Sequence, residues 1–116
     1  MPLIVIHTNL VPPKESTHAL LLEISSEVAR TLGKPESYVM TLLPKESTMT
    51  FGGTTEPACY LELKNIGTLT PAQTTELSEL LCSLCEAHLS VSPTRTYIEF
   101  SDAERHLWGW NNKTFA

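Results

Sequence analysis

Apolar residues recur along this chain with two different periods, and the switches between them outline its elements. Leu3 to Ile6 is a short apolar run rich in β-branched residues, which predicts a buried strand. Asn9 to Pro13 reads as a turn, because Pro12-Pro13 blocks further pairing. From about Glu15 to Leu32 the apolar positions are Leu20, Leu21, Ile24, Val28 and Leu32, which lie on one face of a helix. Gly33 supplies a C-terminal stop and Pro35 reinforces it. Tyr38 to Leu43 predicts a second strand, ended by Pro44. Met49 to Thr55 contains Phe51-Gly52-Gly53, a loop or tight turn.

Ala58 to Ile66 predicts a third strand, in which Leu61 and Leu63 alternate with Tyr60, Glu62 and Lys64. Thr70-Pro71-Ala72-Gln73 is a helix start: Thr70 can cap, Pro71 suits the first helical position and Gln73 can complete a capping box. Leu77, Leu80, Leu81, Leu84 and Leu89 form the apolar stripe of that helix. Ser92-Pro93 breaks the chain before a fourth strand, Arg95 to Phe100. The tail from Leu107 to Ala116 gathers Trp108, Trp110 and Phe115 around Gly109 and Asn111-Asn112.

The order is β-α-β repeated, an α/β (α+β) pattern. Each unit is expected to be a right-handed crossover between parallel strands. Two such units give one four-stranded mixed sheet with both helices on one face, in a single domain over residues 1–116. The other face has no cover from its own chain, and Leu3-Ile4-Val5-Ile6 is apolar on both sides, which predicts self-association.

Composition narrows the possible partners. The net charge of −5, with no run of basic residues, argues against nucleic acid and anionic membranes. No apolar run approaches a membrane span. The start, Met1-Pro2-Leu3-Ile4-Val5-Ile6, has no basic region before it and is cut short by His7-Thr8-Asn9, unlike a signal peptide. The expectation is a cytoplasmic protein whose mature form begins at or next to residue 1. Cys59, Cys82 and Cys85 are read as buried structural thiols, since Cys82-Ser83-Leu84-Cys85 falls inside a helix, away from the helix start that stabilises a thiolate. His7, His18, His88 and His106 show no metal spacing, so no metal site is assigned.

Two residues suggest chemistry. Pro2 is either a strand-opening proline or, once Met1 is removed, a free secondary amine at the end of a buried strand. A model α-amino group titrates near ~7.7–8.0. Burial and a nearby cation both lower that value, so such an amine could serve as a general base at neutral pH. Lys34 is either a solvated lysine favoured by the helix dipole or a cation held on the rigid turn between Gly33 and Pro35, able to bind a carboxylate. Tyr38 and Tyr97 lie in strands and could be simple packing.

Over its whole length the chain resembles the macrophage migration inhibitory factor family. The resemblance is carried by Met1-Pro2, Thr8-Asn9, Gly33-Lys34-Pro35, Tyr38-Val39, Phe51-Gly52-Gly53, Glu56-Pro57 and Ile66-Gly67. It continues through Tyr97-Ile98, Asp102, Gly109-Trp110-Asn111 and Thr114-Phe115-Ala116, in order and at matching spacing. It implies the tautomerase fold, a homotrimer with sites at subunit boundaries, loss of the initiator methionine and cofactor-free keto–enol tautomerisation. The implied substrates are small aromatic keto or enol acids of the phenylpyruvate and dopachrome types. Carried over by position, Pro2 is the base, Lys34, Asn65 and the Ile66 backbone hold substrate, and Tyr97 arrives from the neighbouring subunit. Tyr38, Trp108 and Phe115 wall the pocket.

The resemblance also implies a second possibility, a cytokine-like ligand released without a leader peptide and recognised by a cell-surface receptor. The chain departs from the vertebrate pattern at Glu99, where asparagine is usual, at Trp108, where a small aliphatic residue is usual, and at Asn65, where serine is usual. Ala58 and Leu61 stand in place of the vertebrate Cys-x-x-Cys, so thiol oxidoreductase activity does not carry over.

Overall fold

β1 (Leu3–Thr8) lies in the interior of the sheet, paired on both edges. On one side it runs parallel to β2 (Met40–Leu42), with Leu3 opposite Met40. On the other it runs antiparallel to β3 (Cys59–Ile66), with Leu3 opposite Lys64 and Thr8 opposite Cys59. β4 (Thr96–Ala103) completes the sheet parallel to β3, giving the order β2-β1-β3-β4. The computed structural model describes all of residues 1–116.

Helix α1 (Lys14–Leu32) links β1 to β2, and α2 (Pro71–Leu89) links β3 to β4. The two expected β-α-β units are therefore present, joined back to back through the antiparallel β1/β3 pair. Period-2 alternation decides which side chains meet the helices. Ile4, Ile6, Cys59, Leu61 and Leu63 point inward and pack with Leu20, Ile24 and Val28 of α1 and Leu77, Leu81 and Cys85 of α2. Full burial of one such leucine stabilises the fold by about 1.5–3 kcal/mol. No helix is long and apolar enough to cross a membrane.

The helix ends follow the local chemistry. Thr70 and Gln73 form a reciprocal capping box at the start of α2. At the end of α1, Gly33 sits at φ 63°, donates to the Arg30 carbonyl, and lets the Lys34 N–H reach back to Ala29. This is a Schellman motif, and glycine enters that left-handed conformation at no Cβ cost.

Several boundaries move from the sequence expectation. β2 is three residues long, because Glu36–Tyr38 after Pro35 form a 3-10 turn. β1 runs on through His7 and Thr8. Arg95 belongs to a 3-10 turn that precedes β4. Phe51-Gly52-Gly53-Thr54 is a tight turn closed by mutual hydrogen bonds of Phe51 and Thr54. The face of the sheet opposite the helices carries Leu3, Val5 and Met40 together with a polar cluster. There His7 bonds Glu62 at 3.3 Å and stacks on Tyr60, while Glu99 lies beside Glu62 in register.

Candidate active site

The start of the chain is held where three elements meet. Pro2 is fully buried at the mouth of β1, and its carbonyl accepts the Met40 N–H of β2 at 3.1 Å. Beside it lies a cavity of about 270 Å³ lined by Met1, Pro2, Tyr38, Trp108, Trp110 and Phe115, with Leu3, Ser37, Val39, Met40 and Gly109 completing the wall. The aromatic rings support one another. Tyr38 meets Trp110 edge-on at 5.3 Å and Phe115 at 6.0 Å, and Trp110 stacks on Phe115 at 5.7 Å.

Lys34 reaches this corner from the helix stop. Its Nζ donates to Asn65 Oδ1 at 2.7 Å and to the Ile66 carbonyl at 2.8 Å, both at the end of β3. Asn65 is itself buried and donates to the Gly67 carbonyl, so its amide serves to orient Lys34. Burial, offset by a hydrogen bond to the chain terminus and reinforced by the charge of Arg105, holds the Lys34 amine below its usual range. A half-buried ammonium is thus fixed against the chain's first residue.

The terminal amine responds to that placement. As Met1 stands, it is lowered from its ordinary 8.0 to about 6, first by burial, then by the Lys34 charge, then by a hydrogen bond from Lys34. Each cause disfavours the protonated form. An amine here is largely neutral at pH 7, with a cation and an aromatic wall close by. The arrangement suits a base that works on a flat, anionic, unsaturated molecule.

The structure brings Pro2, Lys34, Asn65, Ile66, Tyr38, Trp108 and Phe115 together at one end of the sheet. It does not bring Tyr97 there. Tyr97 is 66% exposed on β4, against Phe51 at a ring distance of 4.9 Å, and lines a separate apolar cavity of about 500 Å³. Arg95 fixes that neighbourhood by donating to the carbonyls of Phe51, Glu56 and Pro57 at 2.9–3.0 Å.

Two residues of the corner were not singled out as site residues from sequence. Trp110 lines the pocket as fully as Trp108 does, and the two-residue alternation across the hairpin of β5 (Gly109–Trp110) and β6 (Lys113–Thr114) could have flagged it. Arg105 has no local signal, since its relevance comes only from where the tail returns.

Comparison with known proteins gives a consistent result. The family model described as macrophage migration inhibitory factor (MIF) matches residues 1–116. Macrophage migration inhibitory factor from Rattus norvegicus is 36% identical over 116 residues, covering all of both chains. A homolog from Brugia malayi is 37% identical with the same coverage. Among solved structures, a macrophage migration inhibitory factor homologue from Prochlorococcus marinus superposes with a TM-score of 0.93 at 46% identity, covering 98% of this chain and 99% of its own. The protein from Toxoplasma gondii gives 0.92 at 30% identity, covering 97% and 99%.

Proposed function

The chain belongs to the macrophage migration inhibitory factor family, with the fold of the tautomerase superfamily, and from that premise we propose that it is a keto–enol tautomerase whose base is Pro2 after removal of Met1. The observation that carries this reading is the Lys34 ammonium, tied to Asn65 and Ile66 and set against a chain terminus whose amine it lowers, after burial, to about 6. Pro2 as first residue would inherit those neighbours.

In the proposed reaction, neutral Pro2 removes a proton from the carbon or the enol oxygen of an aromatic 2-oxo acid and returns it to the other position. A positioned group of this kind contributes ~10²–10⁴-fold. Lys34 pairs with the carboxylate and steadies the charge that builds on the enolate oxygen. Tyr38, Trp108, Trp110 and Phe115 hold the aryl ring, whose offset and edge-on contacts they can match. Phenylpyruvate-type and dopachrome-type acids fit that description, and no cofactor enters the scheme.

The chain acts as one domain and assembles as a homotrimer, in which a second copy covers the open sheet face and brings its Tyr97 to the pocket. The exposure of Tyr97 and Met40 supports that assembly. The test is ketonisation of phenylpyruvate enol by purified protein whose mass shows loss of Met1, alongside Pro2→Gly. Turnover by wild type that falls at least ~100-fold in Pro2→Gly agrees with the base role. A processed wild-type protein without turnover overturns it.

A further inference from the structure

The tail supplies three of the four aromatic pocket walls, Trp108, Trp110 and Phe115, yet is weakly tied to the rest of the molecule. Its hydrogen bonds close on themselves. The Leu107 N–H donates to Glu104, the Trp108 N–H to Arg105, the Phe115 N–H to Trp108 and the Ala116 N–H to Thr114. None joins residues 107–116 to residues 1–103. Its aromatic contacts with the body run through Tyr38, edge-on to Trp110 and Phe115. The shape of the tail therefore decides where the rings stand.

One side chain spans the two ends of that loop. Arg105, in the 3-10 turn that opens the tail, donates from Nε to the Phe115 carbonyl at 2.7 Å. Its guanidinium forms no ion pair, although Asp102 and Glu104 line the same neighbouring cavity of about 570 Å³. We infer that Arg105 is a positioning residue that fastens the tail and so sets the affinity for the aryl part of the substrate. The inference rests on the tautomerase reading for its kinetic consequence, and on the Nε–Phe115 bond for its structural one.

Two routes of action are separable. Arg105 can act through the bond to Phe115, or through its charge on Lys34. Arg105→Gln distinguishes them, because the glutamine amide nitrogen occupies the chain position of the arginine Nε while the charge is gone. Arg105→Ala removes both.

The experiment measures kcat and KM of wild type and both variants on phenylpyruvate enol and on a short aliphatic 2-oxo acid. Acrylamide quenching of tryptophan fluorescence is read in parallel, since both tryptophans of the chain lie in the tail. Arg105→Ala is expected to raise KM for phenylpyruvate roughly three- to fivefold, the worth of one hydrogen bond, with kcat and the aliphatic KM unchanged and quenching increased. Arg105→Gln is expected to recover most of that loss. Equal losses on both acids, or Arg105→Gln as impaired as Arg105→Ala, overturn the inference. If wild type turns over neither acid, the tautomerase reading fails by itself, and quenching then decides the brace: no change in Arg105→Ala overturns it.

Discussion

Lys34→Ala removes two of the three causes that hold the terminal amine low, the charge and the hydrogen bond, and leaves the burial. On the proposed reading this exposes the pH dependence of the base. At the value of about 6 held by the Met1 amine, which Pro2 takes on the proposed reading if it inherits the same neighbours, roughly three-quarters of the amine is neutral at pH 6.5. At an ordinary value of ~7.7–8.0 only ~3–6% is neutral at that pH. Loss of neutral base thus has a ceiling of roughly 13- to 25-fold at pH 6.5 and nearly vanishes by pH 9. The actual loss falls below the ceiling, because burial is the largest cause and persists.

The sign is fixed by the group. A lowered amine pKa means activity rises with pH through the folded value of the Pro2 amine, and Lys34→Ala moves that rise to higher pH. A deficit that remains at pH 9 reports lost carboxylate binding instead, and appears in KM. The assay is kcat/KM for phenylpyruvate ketonisation from pH 5 to pH 9, corrected for the uncatalysed rate. An acid limb at the same pH in Lys34→Ala as in wild type would refute the claim that Lys34 tunes the base.

Other substitutions test neighbouring links. Glu99→Asn removes a carboxylate two residues from Tyr97 on the same exposed face of β4; KM for anionic substrate should fall up to about fivefold, the range of one exposed charge, and an unchanged KM would place Glu99 away from the pocket. Thr70→Ala breaks the capping box of α2 and should cost about 1 kcal/mol in urea unfolding with kcat unchanged. Gly33→Ala meets no neighbouring atom, so its cost of about 1–2 kcal/mol is backbone strain alone, and any rise in KM beside it measures how far Lys34 has moved.

The local chemistry of this fold was readable in the chain because it is written in adjacent residues. Gly33 and Pro35 bounded α1, and Thr70 to Gln73 opened α2 as expected. Periodicity placed Leu61 and Leu63 on the buried face. It could not say that β1 and β3 pair antiparallel, since strand order depends on contacts more than 50 residues apart. Nor could it show that Glu36–Tyr38 would coil into a 3-10 turn and shorten β2.

The site divides in the same way. Lys34 was recognisable as a lysine on a rigid turn. Its acceptors, Asn65 and Ile66, lie about thirty residues on, and only the resemblance to a family named them. Trp110 and Arg105 matter because a hairpin folds the tail back on itself, which no local pattern announces. Tyr97 stands apart from that corner within one chain, on the exposed face of β4 against Phe51.

The place of β1 inside the sheet has a consequence for timing. β1 is made before its antiparallel partner, which ends at Ile66, so that pairing must wait for synthesis of the intervening chain. At ~5–20 residues per second, that stretch takes roughly 3 to 12 seconds. On the proposed reading, an aminopeptidase that removes Met1 meets an unpaired first strand during this interval. On that reading, a slower ribosome or a tighter early collapse would change the fraction of molecules that carry a proline amine.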